Sequence, residues 1–191
     1  MLFRVREFRP GDFEALWRID QVCFAPGISY SADELRYYIR RKGAFTLVAE
    51  TEETPAETVL EAAARELGSA PAARSRNSDT LSALEKGTED ESIPEHILGF
   101  VVAEASAEGF GHIITIDVRQ HARRFGIGSA LMQTTEERFR GLGCSRIYLE
   151  TAVDNPGALA FYKRRSYELI KTRPRYYSNG VDALVLRKLL G

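Results

Sequence analysis

The chain has little cysteine, little histidine and no long apolar run. Its two cysteines, Cys23 and Cys144, lie far apart, and its three histidines are scattered, so the sequence predicts neither a disulfide framework nor a zinc site. It has no run of about 18 apolar residues, and its N-terminus, LFRVREF, lacks the parts of a secretory signal. We therefore expect a cytoplasmic protein with no membrane segment.

Aromatic residues are absent from residues 51–96, a segment rich in Ala, Ser, Thr and Glu that also contains Pro55, Pro71 and Pro94. Eleven acidic and four basic residues give it a net charge of −7, which leaves +6 on the rest of the chain. Such a segment buries too little apolar surface to offset its ordering entropy. The sequence predicts a single domain over residues 1–191, interrupted by a disordered acidic insert at about 51–96. The basic remainder suits a multiply phosphorylated ligand, and on charge alone nucleic acid is an alternative.

Hydrophobic periodicity predicts alternating strands and helices. The predicted strands are Leu2–Phe8, Phe45–Glu50, Ile97–Ala105, His112–Val118, Arg146–Thr151, Tyr167–Thr172 and Asp182–Leu189. The predicted helices are Asp12–Phe24, Ser31–Arg41 with a Ser31-x-x-Glu34 capping box, Gly126–Arg140 and Asn155–Arg165. This order predicts an α/β fold with a mixed central sheet of about seven strands and helices on both faces.

The stretch from Val118 to Met132, VRQHARRFGIGSALM, joins a predicted strand to a helix through a glycine-rich turn. Gly126 and Gly128 let the backbone approach an anion, and the first helical turn directs its free N–H groups toward it. Arg123 and Arg124 add positive charge. The spacing matches neither the dinucleotide fingerprint nor the P-loop. An ordinary turn before an amphipathic helix is the alternative.

A second pattern lies further along the chain and comprises Asn155, Ala158, Phe161 and Tyr162. It resembles the Asn-x-x-Ala-x-x-Phe-Tyr helix of the GNAT superfamily of acetyl-CoA-dependent N-acetyltransferases. The pattern Arg123-x-x-Gly126-x-Gly128 resembles the pyrophosphate-binding signature of the same family. The resemblance implies the GNAT fold, whose element order the predicted one matches, and acetyl-CoA as co-substrate without a metal.

A third segment, TRPRYY, contains Arg173, Tyr176 and Tyr177. It resembles the Arg-x-x-Tyr-Tyr segment of enzymes that acetylate protein N-termini, above all the bacterial ribosomal-protein alanine acetyltransferase (RimI-like) group. A tyrosine pair that only packs within a strand is the alternative. Two departures stand out. Ser166 occupies the place of the family's usual glycine, which predicts a helix cap that is either left-handed and strained or built differently, and Arg175 replaces an asparagine.

The resemblance implies two catalytic residues. An amine attacks a thioester only when neutral, and α-amines and lysines have pKa values of about 8 and 10, so a proton acceptor helps. Glu150, at the end of a strand, matches the general base of the RimI-like group, and a solvated strand-end carboxylate is the alternative. Tyr162 matches the general acid that protonates the leaving thiolate.

The resemblance also implies the binding residues. The backbone of Ile116 and Val118 would hold the pantetheine arm, with the Val118 N–H polarising the thioester carbonyl. The remaining implied cofactor residues are Arg124, Gly126, Gly128 and Ser129 at the pyrophosphate, Asn155 at the arm, and Arg123 at a phosphate or as a surface charge. The implied acceptor residues are Phe24 and Tyr30, from the loop between the first two helices, with Arg173, Tyr176 and Tyr177.

Three functions follow as hypotheses. The first is acetylation of a protein or peptide N-terminus, with ribosomal proteins among the candidate partners. The second is acetylation of a small amine such as an amino acid, polyamine or antibiotic. The third is a non-catalytic acetyl-CoA-binding module, which the presence of both Glu150 and Tyr162 disfavours. Neither nucleic acid nor membrane is expected as a partner.

Overall fold

A computed structural model of the chain describes residues 1–52 and 93–191. The strands in these ranges are β1 Phe3–Glu7, β2 Ala44–Thr51, β3 Ile97–Ala105, β4 Phe110–Val118, β5 Arg146–Ala152, β6 Glu168–Arg173 and β7 Ala183–Leu189. The α-helices are α1 Phe13–Cys23, α2 Ala32–Arg40, α3 Ile127–Gly141 and α4 Pro156–Arg164. The predicted element order is confirmed, with ends that differ by one or two residues.

All seven strands belong to one sheet in the order β1-β2-β3-β4-β5-β7-β6. The neighbours β4 and β5 run parallel, and the other neighbouring strands are antiparallel. The predicted α/β class with a mixed seven-stranded sheet is therefore confirmed.

Helices cover both faces of the sheet. On one face Leu16 and Ile19 of α1 and Leu35 of α2 are buried against Phe100 of β3. On the other face α3 and α4 pack over a larger core, whose fully buried side chains include Leu131, Met132, Phe139, Ile147 and Leu149. Each such side chain stabilises the fold by about 1.5–3 kcal/mol through removal of apolar surface from water.

Local sequence signals account for several helix ends. The Ser31 hydroxyl accepts from the Glu34 N–H at 3.3 Å while the Glu34 carboxylate accepts from the Ser31 N–H at 2.9 Å, which confirms the predicted capping box. At the end of α4, Ser166 adopts a left-handed φ of 64°, so of the two caps expected in the absence of a glycine the structure has the left-handed one.

The predicted acidic insert at 51–96 lies outside the described residues except at its two ends. There β2 runs on to Thr51, and Ile93 is buried. Among the described helices, none combines the length and the apolar character needed to cross a membrane. Residues 1–52 and 93–191 also contain no cluster of three or more potential metal-binding side chains.

Candidate active site

β4 and β5 pair over only part of their lengths. Parallel pairing joins Phe110–Ile113 to Arg146–Leu149, whereas β4 continues beside β3 as far as Val118. A register step leaves Ile114 as a bulge residue in β4. Beyond that bulge the described part of the chain places no strand against the second edge of β4, so a wedge opens between β4 and β5.

The open edge of β4 presents main-chain groups to this wedge. The Arg119 N–H donates to the Leu98 carbonyl at 3.0 Å. Because alternate residues of an antiparallel strand direct their N–H groups toward the neighbouring strand, Ile116 and Val118 direct theirs away from β3. These are the two residues whose backbones were expected to hold the pantetheine arm.

A cavity of about 340 Å³ lies at the mouth of the wedge. Eight of the predicted site residues line it: Phe24, Tyr30, Ile116, Glu150, Asn155, Tyr162, Tyr176 and Tyr177. The structure thus brings both predicted catalytic side chains to the cavity together with four of the five predicted acceptor residues. Arg173, the fifth, lies beside the cavity next to Glu150.

Glu150 on β5 is hydrogen bonded to His112 on β4, with 2.7 Å between Oε2 and Nε2. His112 was not among the predicted site residues, because in the sequence it is only one of three scattered histidines. The register of β4 and β5 would have identified it, because His112 pairs with Tyr148, and Glu150 lies two residues further along β5 on the same face of the sheet. Both side chains line the cavity.

Positive groups hold Glu150 in its ionised form. Burial alone would raise the pKa of this carboxyl, but the hydrogen bond and charge of His112, together with the charges of Arg173 and Lys171, lower it below its ordinary value. Arg173 Nη1 lies 3.8 Å from Glu150 Oε1. Since a carboxylate only accepts hydrogen bonds, His112 carries its proton on Nε2, and its Nδ1 is the available acceptor when the ring is neutral.

Tyr162 on α4 is only 6% exposed and packs against Phe161 and Tyr167. Burial, reinforced by the negative charge of Asp117, raises the pKa of its hydroxyl above the ordinary value. The group therefore stays protonated at neutral pH and is available as a hydrogen-bond donor at the cavity.

Most of the predicted acceptor residues come from two segments, the loop from Phe24 to Tyr30 and the hairpin between β6 and β7, which we call the acceptor wall. The Ser178 N–H and hydroxyl donate to the Gly27 carbonyl at 3.2 and 3.1 Å. Gly27 has a φ of +88°, and a Cβ there would lie 2.8 Å from the Asn179 Cβ. Only glycine allows both this conformation and this approach.

The first turn of α3 contains the residues that were predicted to bind an anion. Gly126 is its N-cap, with a left-handed φ of 87° and no side-chain cap. The first intrahelical bond runs from the Ala130 N–H to the Gly126 carbonyl, so the N–H groups of Ile127, Gly128 and Ser129 have no partner within the helix. Arg124 precedes them on the exposed surface.

Arg123 and Asn155 are both engaged within the protein. The Arg123 Nε donates to the Val118 carbonyl at 3.0 Å, and its Nη2 lies 3.9 Å from the Cys23 sulfur. Asn155 caps α4 by accepting from the Ala158 N–H at 3.0 Å. Arg123 thus stabilises the end of β4, and Asn155 stabilises the start of α4 beside the cavity.

The sequence profile of the acetyltransferase (GNAT) family matches residues 13–167. The chain belongs to this family. The matched range includes the residues that form the wedge and the α3 turn, together with Glu150 and Tyr162. Acetyl-CoA is the cofactor that this fold uses. The open edge of β4 and the free N–H groups of α3 suit such a cofactor, because they provide donors for an extended amide chain and for phosphates.

Named relatives cover part of the chain. An uncharacterized N-acetyltransferase of Methanocaldococcus jannaschii is 36% identical over 97 residues, which span 50% of this chain and 62% of that protein. An N-alpha-acetyltransferase of Sulfurisphaera tokodaii is 34% identical over 77 residues, spanning 40% of this chain and 46% of that protein. The chain thus spans about half the length of these curated relatives.

Solved structures share the whole fold at low identity. Ard1 from Thermoplasma volcanium has a TM-score of 0.71 at 20% identity, covering 100% of this chain and 99% of that one. The Escherichia coli ribosomal-protein-S18-alanine N-acetyltransferase has a TM-score of 0.68 at 14% identity, covering 100% and 95%. Arabidopsis thaliana NAA60 in complex with acetyl-CoA has a TM-score of 0.69 at 18% identity, covering 98% of each chain.

Proposed function

We propose that this protein transfers an acetyl group from acetyl-CoA directly to the α-amine of a protein N-terminus. The observation that carries the proposal is the His112–Glu150 pair at a cavity that Tyr162 also lines. A proton acceptor and a proton donor are the two groups that amine acetylation by a thioester requires.

The acceptor half of the reaction depends on Glu150 and His112. The ionised Glu150 attracts the ammonium form of the acceptor amine to the cavity. It also fixes the Nε2–H tautomer of His112, which leaves Nδ1 free to accept a proton. The pair therefore removes the ammonium proton and leaves a neutral nucleophilic amine. Because the pKa of Glu150 is lowered, Glu150 alone is a weak base at neutral pH.

The cofactor half depends on β4 and Tyr162. Bound acetyl-CoA supplies the acetyl thioester and leaves as the thiol. The Val118 N–H, directed into the wedge, is the donor that we assign to the thioester carbonyl oxygen. The Tyr162 hydroxyl is the donor that we assign to the leaving sulfur. Ile116 would bind the pantetheine arm, while Gly126, Gly128, Ser129 and Arg124 would bind the pyrophosphate.

The acceptor wall supports a peptide as the acceptor. Aromatic side chains from two separate segments line the cavity, namely Phe24 and Tyr30 from the loop and Tyr176 and Tyr177 from the hairpin. This arrangement suits the first residues of an extended chain, and the Sulfurisphaera tokodaii relative carries the name N-alpha-acetyltransferase. The finer assignment to the RimI-like group, with ribosomal-protein N-termini that begin with alanine as acceptors, is part of the proposal.

A panel of acceptors tests the proposal. Thiol release from acetyl-CoA would be followed with peptides beginning with Ala, Ser or Met, with free lysine and with spermidine. The matched control is the same peptide with a blocked N-terminus. We expect turnover of the free peptides and none of the blocked ones. Turnover of lysine or spermidine alone would establish a small-amine acetyltransferase, and preference for the alanine peptide would support the RimI-like assignment.

A further inference from the structure

Two carboxyl groups are buried together on the face of β4 that packs against α1. Asp20 of α1 is 0% exposed, and Asp117 of β4 is 1% exposed. The Cys23 sulfur lies 3.6 Å from the Val118 carbonyl, which places the end of α1 against the end of β4. Asp20 precedes Cys23 by one helical turn, and Asp117 lies directly opposite Phe100, whose side chain packs in the core beneath α1, so the two carboxyl groups face the same interface.

Each carboxyl group has one oxygen that is hydrogen bonded and one that is not. Asp20 Oδ2 accepts from the Tyr30 N–H at 2.7 Å and from Gln21 Nε2 at 3.2 Å. Asp117 Oδ2 accepts from the Thr115 hydroxyl at 2.9 Å. The Oδ1 atoms of both are buried, and the described residues offer neither of them a hydrogen-bond partner. A buried carboxylate oxygen without a donor is costly.

A single proton satisfies both of these oxygens. Burial raises the pKa of Asp20 to about 7. Burial, followed by the negative charge of Asp20, raises the pKa of Asp117 well above its ordinary value. A proton held between the two carboxyl groups would therefore give each of these oxygens a hydrogen-bond partner.

The surroundings supply little compensating charge. The titratable and charged groups that act on the pair or respond to it are Cys23 of α1, Glu34 of α2, Tyr30 of the loop, Arg123 before α3 and Tyr162 of α4. Arg123 provides the one positive charge among them, and its Nε is hydrogen bonded to the Val118 carbonyl.

We infer that Asp20 and Asp117 share one proton and act as a positioning pair that holds the acceptor loop against β4. Asp20 binds the backbone of Tyr30, whose hydroxyl donates to the Ile114 carbonyl at the bulge, and Asp117 adjoins Val118. The pair thus ties the loop that contacts the acceptor to the strand edge that contacts the cofactor. Its role toward the acceptor rests on the proposed function.

The shared proton makes acceptor binding dependent on pH. An unfolded aspartate loses its proton near pH 4, whereas the folded pair keeps one proton to higher pH because its pKa is raised. As the pH rises through the folded value, the second negative charge forms, the two side chains repel each other, and the loop loosens. The KM for the acceptor should therefore rise on the alkaline side while the Kd for acetyl-CoA stays constant.

Two variants separate the pair's roles. Asp117→Asn replaces the shared proton with an amide N–H that donates to Asp20 without titrating, so the loop stays in place and the alkaline rise in KM should disappear. Asp117→Leu offers no donor, and the acceptor KM should rise about tenfold, the loss expected for a buried hydrogen bond. The matched control is Asp33→Asn, whose parent side chain is exposed and which should leave the pH profile unchanged.

A titration independent of catalysis completes the test. In the full chain labelled with ¹³C at aspartate carboxyl carbons, Asp20 and Asp117 should titrate as a coupled pair, with one step well above the ordinary range of aspartate, and Asp117→Asn should remove that step. Ordinary titration of both near pH 4 would overturn the inference. The inference would also be overturned if the acceptor KM of Asp117→Asn still rose at alkaline pH, or if Asp117→Leu had the parent acceptor KM. Absence of peptide turnover with a coupled titration intact would instead refute the proposed function.

Discussion

The proposed cofactor side and the proposed acceptor side of the site are built in different ways. The proposed cofactor side consists of the open edge of β4 and the first turn of α3, which lie close together in sequence at residues 114–129 and present main-chain N–H groups. The acceptor side combines side chains from separate segments, namely the loop at 24–30, His112, Glu150 and the hairpin at 173–183. Main-chain N–H groups remain in place when most side chains are substituted, whereas a substitution on the other side removes the contacting group itself. Variants should therefore affect one side and spare the other.

The largest effect is expected from Glu150→Gln. The amide carries no negative charge to attract the ammonium or to fix the His112 tautomer, so kcat/KM for a peptide should fall about 10²–10³-fold, within the range for acid–base catalysis. The Kd for acetyl-CoA, measured by calorimetry, should not change. Glu14→Gln on the exposed part of α1 is the matched control. Unchanged turnover in Glu150→Gln would remove Glu150 from the reaction.

Tyr162→Phe should have the next largest effect. It keeps the ring packing with Phe161 and Tyr167 but removes the O–H, so kcat should fall about 10²-fold, at the lower end for loss of a general acid. Acceptor KM and cofactor Kd should stay near the parent values. Tyr148→Phe, whose parent hydroxyl accepts from Arg146, is the control. If Tyr162→Phe turned over at the parent rate, another group would protonate the thiolate.

Gly27→Ala tests the acceptor wall alone. The added Cβ would lie 2.8 Å from the Asn179 Cβ, and the positive φ strains any other residue, so the loop must move at a cost of about 1–3 kcal/mol. We expect acceptor KM to rise about tenfold and cofactor affinity to stay constant. A rise in the acetyl-CoA Kd of similar size would contradict the separation of the two sides. Gly11→Ala, with open space around the new Cβ, is the control.

Gly126→Ala tests the cofactor side and should have the smallest effect. The site has room for a Cβ, but the left-handed φ of 87° costs alanine about 1 kcal/mol. The acetyl-CoA Kd should rise about fivefold with no change in the acceptor KM at saturating cofactor. Gly141→Ala, also with open space, is the control. A change in the acceptor KM without a change in the acetyl-CoA Kd would contradict the assignment of the α3 turn to the cofactor side.

Most of the fold was predictable because the strands and helices follow simple periodicities and local end signals. The capping box at Ser31 and the left-handed position of Ser166 are examples. The α3 turn was also predictable, since its glycines, arginines and helix start are neighbours in sequence. These features depend on local conformation, which a short stretch of residues determines.

The acceptor side was less predictable because tertiary contacts create it. His112 gains a partner only through the parallel register of β4 and β5, and Asp20 meets Asp117 only when α1 packs on the sheet. Neither lies in a short motif. Glu150 was found through a family resemblance, but its lowered pKa depends on His112, Arg173 and Lys171, which come from two other strands.

The most direct test of the central claim uses one peptide with both kinds of amine. A peptide beginning with alanine and containing an internal lysine would be acetylated by the full chain, and tandem mass spectrometry would locate the acetyl group. We expect acetylation of the α-amine, with the lysine untouched and with an initial rate about 10²–10³-fold lower in Glu150→Gln. Acetylation of the lysine, or transfer at the parent rate in Glu150→Gln, would contradict the claim.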